Sequence, residues 1–348
     1  MARIVFGFGV SHGPLLATPP DRWDLRAEWD RRQREHWFRG ATYGFEQLVQ
    51  LRKGEDFGAA LSLEAKTERF DRCRRRLAEL GQALRDSEAD VLVVAGDDQR
   101  EWITAEMQPA FAVFHGESVT NLAFDEERAK ADPSVVYRMR ATEPPDRDHV
   151  YPVQSDLAVH IIEQAAAQGF DVAASARQPT GPAGPRQLGH AWGFVYRQLL
   201  ADRPKPLVPV LVNSFYAPNR PTPSRCYALG LAIGRAIRSW NGKKTVAVGG
   251  SGGLSHFVID EPFDRALLAA LERRDLDSIF ALDDRFFRAG TSEIKNWLVA
   301  AGMLAETGLE MKILDYVPCY RSEAGTGCAM GFAAWTPAAP AGAALTDR

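Results

Sequence analysis

Lys244 to His256, KTVAVGGSGGLSH, is the stretch whose reading decides the fold. Thr245 to Val248 is a short apolar, β-branched run of the kind used by a buried parallel strand, and Ser251, Gly252 and Gly253 follow at once. Glycines there let the backbone turn tightly and pass close to a ligand or a neighbouring strand. His256 is then delivered just past a strand end, where open α/β sheets place their chemistry. The plainer alternative is a tight turn whose histidine only hydrogen-bonds. GGSGG is not a phosphate loop, since it lacks the GK[ST] ending, and the spacing of a dinucleotide fingerprint is missing.

The same strand-then-polar pattern recurs outward from this point. Ile4 to Val10 reads as a first buried strand leading into Ser11, His12 and Gly13, and Val91 to Ala95 as another running into Gly96, Asp97, Asp98 and Gln99. Two acids and an amide at a strand end suit a hard cation, or equally a turn in which Asp side chains bond to backbone N–H groups. Phe111 to Phe114 ends at His115, and Leu207 to Asn213 is a further strand. The segment QPTGPAGPR, 178–186, has a Pro and Gly density that only irregular backbone tolerates, and it leads to Leu188, Gly189, His190 and a helix over Ala191 to Leu200. Periodic spacing predicts helices over Leu61–Leu84, Asp156–Gln168, Arg225–Trp240, Pro262–Glu272 and Glu293–Leu304. A carboxylate such as Glu293 in a first turn serves the helix dipole, or is aimed at a metal. Lys312 to Val317 is expected to be the last strand.

Strands separated by helices make an α/β fold, with a mixed or mostly parallel sheet flanked by helices. We expect a single catalytic α/β domain over 1–335, with an inserted helical excursion near residues 20–85, and a frayed tail over 336–348. Residues 21–58, with Trp23, Trp29, Trp37 and Phe38, form a lid, a subunit contact or a local core. RCRRRLAEL, 72–80, is the solvated face of a helix, because acidic residues lie beside it without interleaved aromatics.

Composition sets limits on function. The chain has 348 residues, 45% of them hydrophobic and 25% charged, with a formal charge of -3, so nothing points to nucleic acid or another polyanion. Cys73, Cys226, Cys319 and Cys328 are too scattered for a zinc finger and too few for a disulfide scaffold, which favours a reducing compartment. The opening MARIVFGFGVSH is too short and too quickly polar for a signal peptide, and no apolar run reaches membrane-spanning length. A cytoplasmic location is the expectation.

Three histidines after strands or loops, with one placed carboxylate, can share a pocket at the sheet's carboxyl edge. Two His and a carboxylate on one face of an ion, with open positions opposite, is how non-haem Fe(II) holds a substrate and O₂ together. The motifs SHGPLL at 11–16, DVLVVAGDDQ at 90–99, LGH at 188–190, SRCYALG at 224–230, GGSGGLSH at 249–256 and SEIKNWL at 292–298 occur in an order and spacing that resembles the class III extradiol ring-cleavage dioxygenases, the family of the catalytic beta subunit of protocatechuate 4,5-dioxygenase. The likeness covers most of residues 3–335, with the 20–85 segment expanded. It implies Fe(II), with Mn(II) the other metal in view, bound by His12 and Glu293. It also implies His256 as acid/base, His190 beside the ring and the oxygen, and a catechol-like or aminophenol-like aromatic substrate cleaved with O₂. An Arg of the 20–58 excursion could pair with a ring carboxylate. A homo-oligomer is implied, sometimes with a separate small helical subunit.

One position departs from the pattern. The family's second metal histidine closes an Asp-His pair after the second strand, and Gln99 stands there in this chain, preceded by Asp97 and Asp98. Three accounts follow: Gln99 is itself a ligand in a His12, Gln99 and Glu293 site, which is the favoured one; Asp98 or His115 completes the shell; or metal binding has been lost. The last leads to the competing function, a binding or interaction protein on the same fold.

Overall fold

A run such as Val91–Asp97, buried at every position, has no face to offer to solvent and has to lie inside a sheet covered on both sides. The computed structural model describes residues 1–127, 144–181 and 184–338. Nine strands form its main sheet: β1 (Arg3–Val10), β2 (Val91–Asp97), β3 (Phe111–Phe114), β4 (Ala173–Ser175), β5 (Leu207–Val212), β6 (Thr245–Ser251), β7 (His256–Val258), β8 (Leu309–Tyr320) and β9 (Thr326–Pro337). Their order is β7-β9-β1-β6-β2-β5-β3-β4, and β8 pairs with β9. The centre, β1-β6-β2-β5, is parallel, so the carboxyl ends of these four strands lie along one edge.

The helices described are α1 (Trp23–Arg32), α2 (Phe45–Leu51), α3 (Leu63–Asp86), α4 (Ser155–Ala167), α5 (His190–Phe194), α6 (Pro223–Ser239), α7 (Glu261–Glu272), α8 (Leu276–Phe280) and α9 (Ile294–Leu304). They cover both faces. Phe8, Leu92, Val94 and Ala247 share a cluster with Leu77, Leu80, Trp192 and Tyr196. On the other face, Val91, Val93, Val246 and Val248 share one with Leu229, Ile233, Leu298 and Met303. This is the expected α/β architecture with a mixed, mostly parallel sheet. Among the described residues no helix is long and apolar enough to cross a membrane.

Several local expectations are corrected. The strand begun at Thr245 runs on to Ser251, and its glycines have ordinary negative φ values. They are there for close packing: a Cβ on Gly250 would lie 2.6 Å from the Asn296 carbonyl oxygen, and one on Gly252 2.8 Å from that of Glu293. The neighbour approached so closely is therefore the start of α9. Lys312–Val317 is only the middle of β8, and β9 follows it as the other arm of a hairpin. β9 escapes a propensity reading because TGCAMGFAAW is mostly small residues, with Thr326 its one β-branched position; a Cβ on Gly331 would meet Leu254 at 2.7 Å. Thr336 and Pro337 close this strand, and residues 339–348 of the expected tail lie outside the described residues. The helix expected to continue to Leu200 stops at Phe194 and passes into a π turn over Val195–Leu199. Ser118–Asn121 pairs with His149–Pro152 as a separate two-stranded ribbon, and residues 128–143 lie outside the described residues.

The 20–85 segment is helical apart from a short ribbon, His36–Phe38 with Ala41–Tyr43. It is fastened to the tip of the β8–β9 hairpin. Buried Asp30 accepts from Arg321 at 2.6 and 2.8 Å and from Thr326 Oγ1 at 2.6 Å, while Arg52 donates to the Gly325 carbonyl at 3.2 Å. Trp23 is fully buried, whereas Trp29 is exposed.

Helices α6 and α9 touch through glycines. A Cβ on Gly302 would overlap the Tyr227 carbonyl oxygen, and one on Gly230 that of Val299. Gly302→Ala is therefore expected to push the two helices apart at a cost of about 1–3 kcal/mol. A denaturant titration checks this: the midpoint should fall with the slope unchanged.

Candidate metal and active site

The parallel strands deliver their polar residues to a single cavity. His12 follows β1, Asp97 ends β2 with Gln99 just beyond, Tyr216 follows β5, and Gly253 and His256 follow β6. His190 opens α5, and Glu293 stands immediately before α9. The cavity measures about 360 Å³; His12, Gln99, Glu101, His190, His256 and Glu293 supply its polar lining, and Pro14, Phe257, Ala329 and Met330 its apolar wall.

Hydrogen bonds fix which way each ring presents its lone pair. Ser251 Oγ donates its one proton to the Ala191 carbonyl at 2.9 Å, so at 3.0 Å from His12 Nδ1 it acts as the acceptor. His12 therefore carries its proton on Nδ1 and turns the lone pair of Nε2 inward. That Nε2 lies 3.0 Å from His190 Nε2, 3.2 Å from Glu293 Oε2 and 3.6 Å from Asp97 Oδ1. His190 Nδ1 lies 2.9 Å from both oxygens of Glu101, a carboxylate that also accepts from the His190 and Gln99 backbone N–H groups. Asp97 accepts from Asn296 Nδ2 at 3.0 Å and from Gln99 Nε2 at 3.2 Å. Glu293 Oε2 accepts from Gly253 N at 2.7 Å, and its Oε1 lies 3.1 Å from His256 Nε2.

The electrostatics follow from this crowding. Burial lowers the pKa of His190, but Glu101 and Asp97 outweigh it and hold the imidazole well above its ordinary value. Burial likewise acts against charge on His256 and Glu293. Their mutual contact prevails, with His12 adding to it, so that His256 is raised and Glu293 lies well below the usual carboxylate range. Two imidazole nitrogens facing each other at 3.0 Å need a hydrogen on one of them, carried by His190 Nε2 since His12 Nε2 offers its lone pair, or a metal ion in its place. The donor set, imidazole with carboxylate, suits Fe(II) or Mn(II). The residues present therefore fit the metal that the resemblance implies.

The cavity brings together His12, Gln99, His190, His256 and Glu293. Gln99 is engaged on both sides of its amide: its nitrogen donates to Asp97, and its oxygen accepts from Tyr216 at 3.3 Å. Asp98 spends its oxygens on the backbone N–H groups of Trp102 and Ile103, at 2.8 and 3.0 Å, which makes it the turn-forming acid. Neither Asp98 nor His115 lines the cavity, and no residue of the 20–85 excursion does, so the Arg expected there for a ring carboxylate is not in place among the described residues. Sequence reasoning missed Glu101, Ser251 and Asn296 as supporting groups. Only Asp97, the one acid closing an otherwise apolar strand, carried a signal strong enough to find.

The His256 turn has its own support. Ser255 donates from N at 2.9 Å and from Oγ at 2.5 Å to Asp264 of α7, which Tyr316 also meets at 2.8 Å. Burial pushes the Asp264 carboxyl up to about 7 against these hydrogen bonds. A carboxyl whose folded pKa is raised binds its proton more tightly in the native state, so its contribution is full below the unfolded value near 4 and is lost as pH rises through about 7. Asp264→Asn should flatten the fall in stability over that window, as read from melting temperatures at a series of pH values. Ser251→Ala leaves the His12 Nδ1 proton without its partner and takes away the hydroxyl that the Ala191 carbonyl accepts from. It should destabilise the fold by about 1–3 kcal/mol and weaken metal binding roughly 10–100-fold, as measured by denaturation and anaerobic titration.

A family model described as the catalytic LigB subunit of aromatic ring-opening dioxygenase matches residues 77–326, most of the chain. No curated protein matches it significantly.

Proposed function

The chain belongs to the family of catalytic LigB subunits of aromatic ring-opening dioxygenases, and from that premise we propose that it cleaves a catechol-like or aminophenol-like ring in the extradiol manner, using O₂ and a non-haem Fe(II), with Mn(II) the alternative metal. The observation that carries this reading is the inward lone pair of His12, close to His190, Asp97 and Glu293, at a cavity lined by both polar and apolar side chains. His12 is common to both candidate ligand sets: His12, Gln99 and Glu293 by resemblance, and His12, Asp97 and His190 by proximity.

When bound, Fe(II) supplies the Lewis acidity and redox capacity with which O₂ and the ring react. The chain's own residues do the rest. Pro14, Phe257, Ala329 and Met330 confine the flat ring and keep water from it, so its oxygens point to the polar side. His256 takes a phenolic proton on Nε2, where Glu293 stabilises the resulting imidazolium, and returns a proton as the ring opens. His190, oriented by Glu101, flanks the same space. Glu101 and Ser251 keep the rings from turning over, so the donors are set before substrate arrives.

A binding protein with decayed metal chemistry would not need this set of pre-oriented donors. A homo-oligomer, a separate small helical subunit as partner, and a cytoplasmic location belong to the same proposal and rest on the family.

His12→Ala is expected to abolish stoichiometric iron binding under anaerobic conditions, and unchanged occupancy would sink the metal-dependent reading. His256→Ala should retain iron and lower turnover by roughly 10²–10⁴-fold. Catechol, protocatechuate, gallate and aminophenols, followed by oxygen electrode and by the yellow absorbance of ring-cleaved products, supply the assay; parental turnover in this variant would refute the role of His256.

A further inference from the structure

We propose that the metal is held by His12, Asp97 and His190, a two-histidine, one-carboxylate set that replaces the His12, Gln99 and Glu293 set, and that Glu293 serves instead as the partner of His256. The proposal rests on the metal-dependent reading above and names the ligands of that same site.

Among the described residues, His12, Asp97 and His190 form the buried group whose donor atoms all lie within 4.8 Å of one another. The separations are 3.0 Å between the two Nε2 atoms, 3.6 Å from His12 Nε2 to Asp97 Oδ1 and 3.5 Å from His190 Nε2 to the other Asp97 oxygen, Oδ2. Neighbouring donors on an ion with bonds of about 2.1 Å lie roughly 3.0–3.4 Å apart in octahedral or tetrahedral arrangements, so small adjustments close the set. Each donor is also fixed from behind, as metal ligands characteristically are. Ser251 holds His12 through Nδ1, Glu101 holds His190 through Nδ1, and Asn296 and Gln99 donate to Asp97.

This explains Gln99 without making it a ligand. Its amide nitrogen donates to Asp97, while its oxygen already accepts from Tyr216. An imidazole there could also donate, but it would bring a third ring toward a pair already at 3.0 Å. Glu293 stands outside the group of His12, Asp97 and His190: its Oε2 meets His12 at 3.2 Å and the Gly253 N–H at 2.7 Å, and its Oε1 faces His256 at 3.1 Å. His256 is then left as the one histidine of the cavity free for proton transfer.

The test loads the full chain with Fe(II) anaerobically, measures affinity by titration, and counts directly bound imidazoles by pulsed EPR of the nitric oxide adduct. Two imidazoles are expected in the parent and one in His190→Ala. Affinity should fall by more than about 100-fold in His190→Ala and in the isosteric Asp97→Asn, whereas Gln99→Ala and Glu293→Gln should lose about 10–100-fold at most, the range of an outer partner. Circular dichroism and melting of each variant identify any that fails to fold, and the imidazole count in the parent does not depend on the variants. One imidazole in the parent overturns the proposal, as do parental affinity in His190→Ala and Asp97→Asn and a chain that binds no Fe(II). Ring cleavage by a protein whose iron sits on Glu293 would sink this ligand set and leave the function standing. Iron bound by the proposed set in a protein that consumes no ring substrate would do the reverse.

Discussion

The close contact between the start of α9 and a stretch of β6 without side chains governs the rest of the site. Gly250 and Gly252 let the backbone of Glu293 and Asn296 press against the strand, nearer than any Cβ would allow. From there Asn296 Nδ2 reaches both the Ser251 carbonyl at 2.8 Å and Asp97, and Trp297 Nε1 reaches the Gly252 carbonyl at 3.1 Å. One helix thus spans the ends of β6 and β2, and Glu293 is carried to His256 by the same packing. On its far side α9 lies on α6, again through glycines, so the helix is gripped between a sheet and a helix and has little freedom to move.

A second layer of constraint is chemical. The cavity and the layer directly behind it hold more acidic groups than a buried volume tolerates unless each is answered by a donor. Nearly every one is: Glu101 by His190 and two backbone N–H groups, Asp97 by two amides, Glu293 by Gly253 and His256, Asp98 by the turn it caps. The supporting groups set tautomers as well as positions, and a ring whose outer nitrogen is spoken for has one thing left to offer inward.

How much of this was legible in the chain depends on what kind of signal each part leaves. The parallel centre was readable because β-branched runs ending in polar residues have few other uses, and so were the cavity residues that follow those runs. β9 was hidden, since most of its residues are small, Gly331 among them where the strand packs against Leu254, and small residues carry no strand signal. The glycines after Thr245 were noticed for the right reason, close approach, but what approaches lies forty residues further on, and no local pattern reports it. Glu101 and Ser251 are ordinary residues in sequence; only the fold sets one behind His190 and the other behind His12. Gln99 was visible as a departure, whereas its contacts with Asp97 and Tyr216 were visible only in three dimensions.

The place of β1 in the sheet bears on how the protein is made. It lies between β6 and β9, so the strand that leads to His12 is synthesised long before either of its neighbours. Closing so long a loop costs little extra free energy, since each doubling of length adds only about 0.6 kcal/mol. Time is the larger burden. At roughly 5–20 residues per second, Arg3–Val10 emerges tens of seconds before Thr245–Ser251 exists. For that interval an apolar run with bare N–H and C=O groups on both sides is open to pairing with other chains, a hazard of birth that the finished sheet no longer shows.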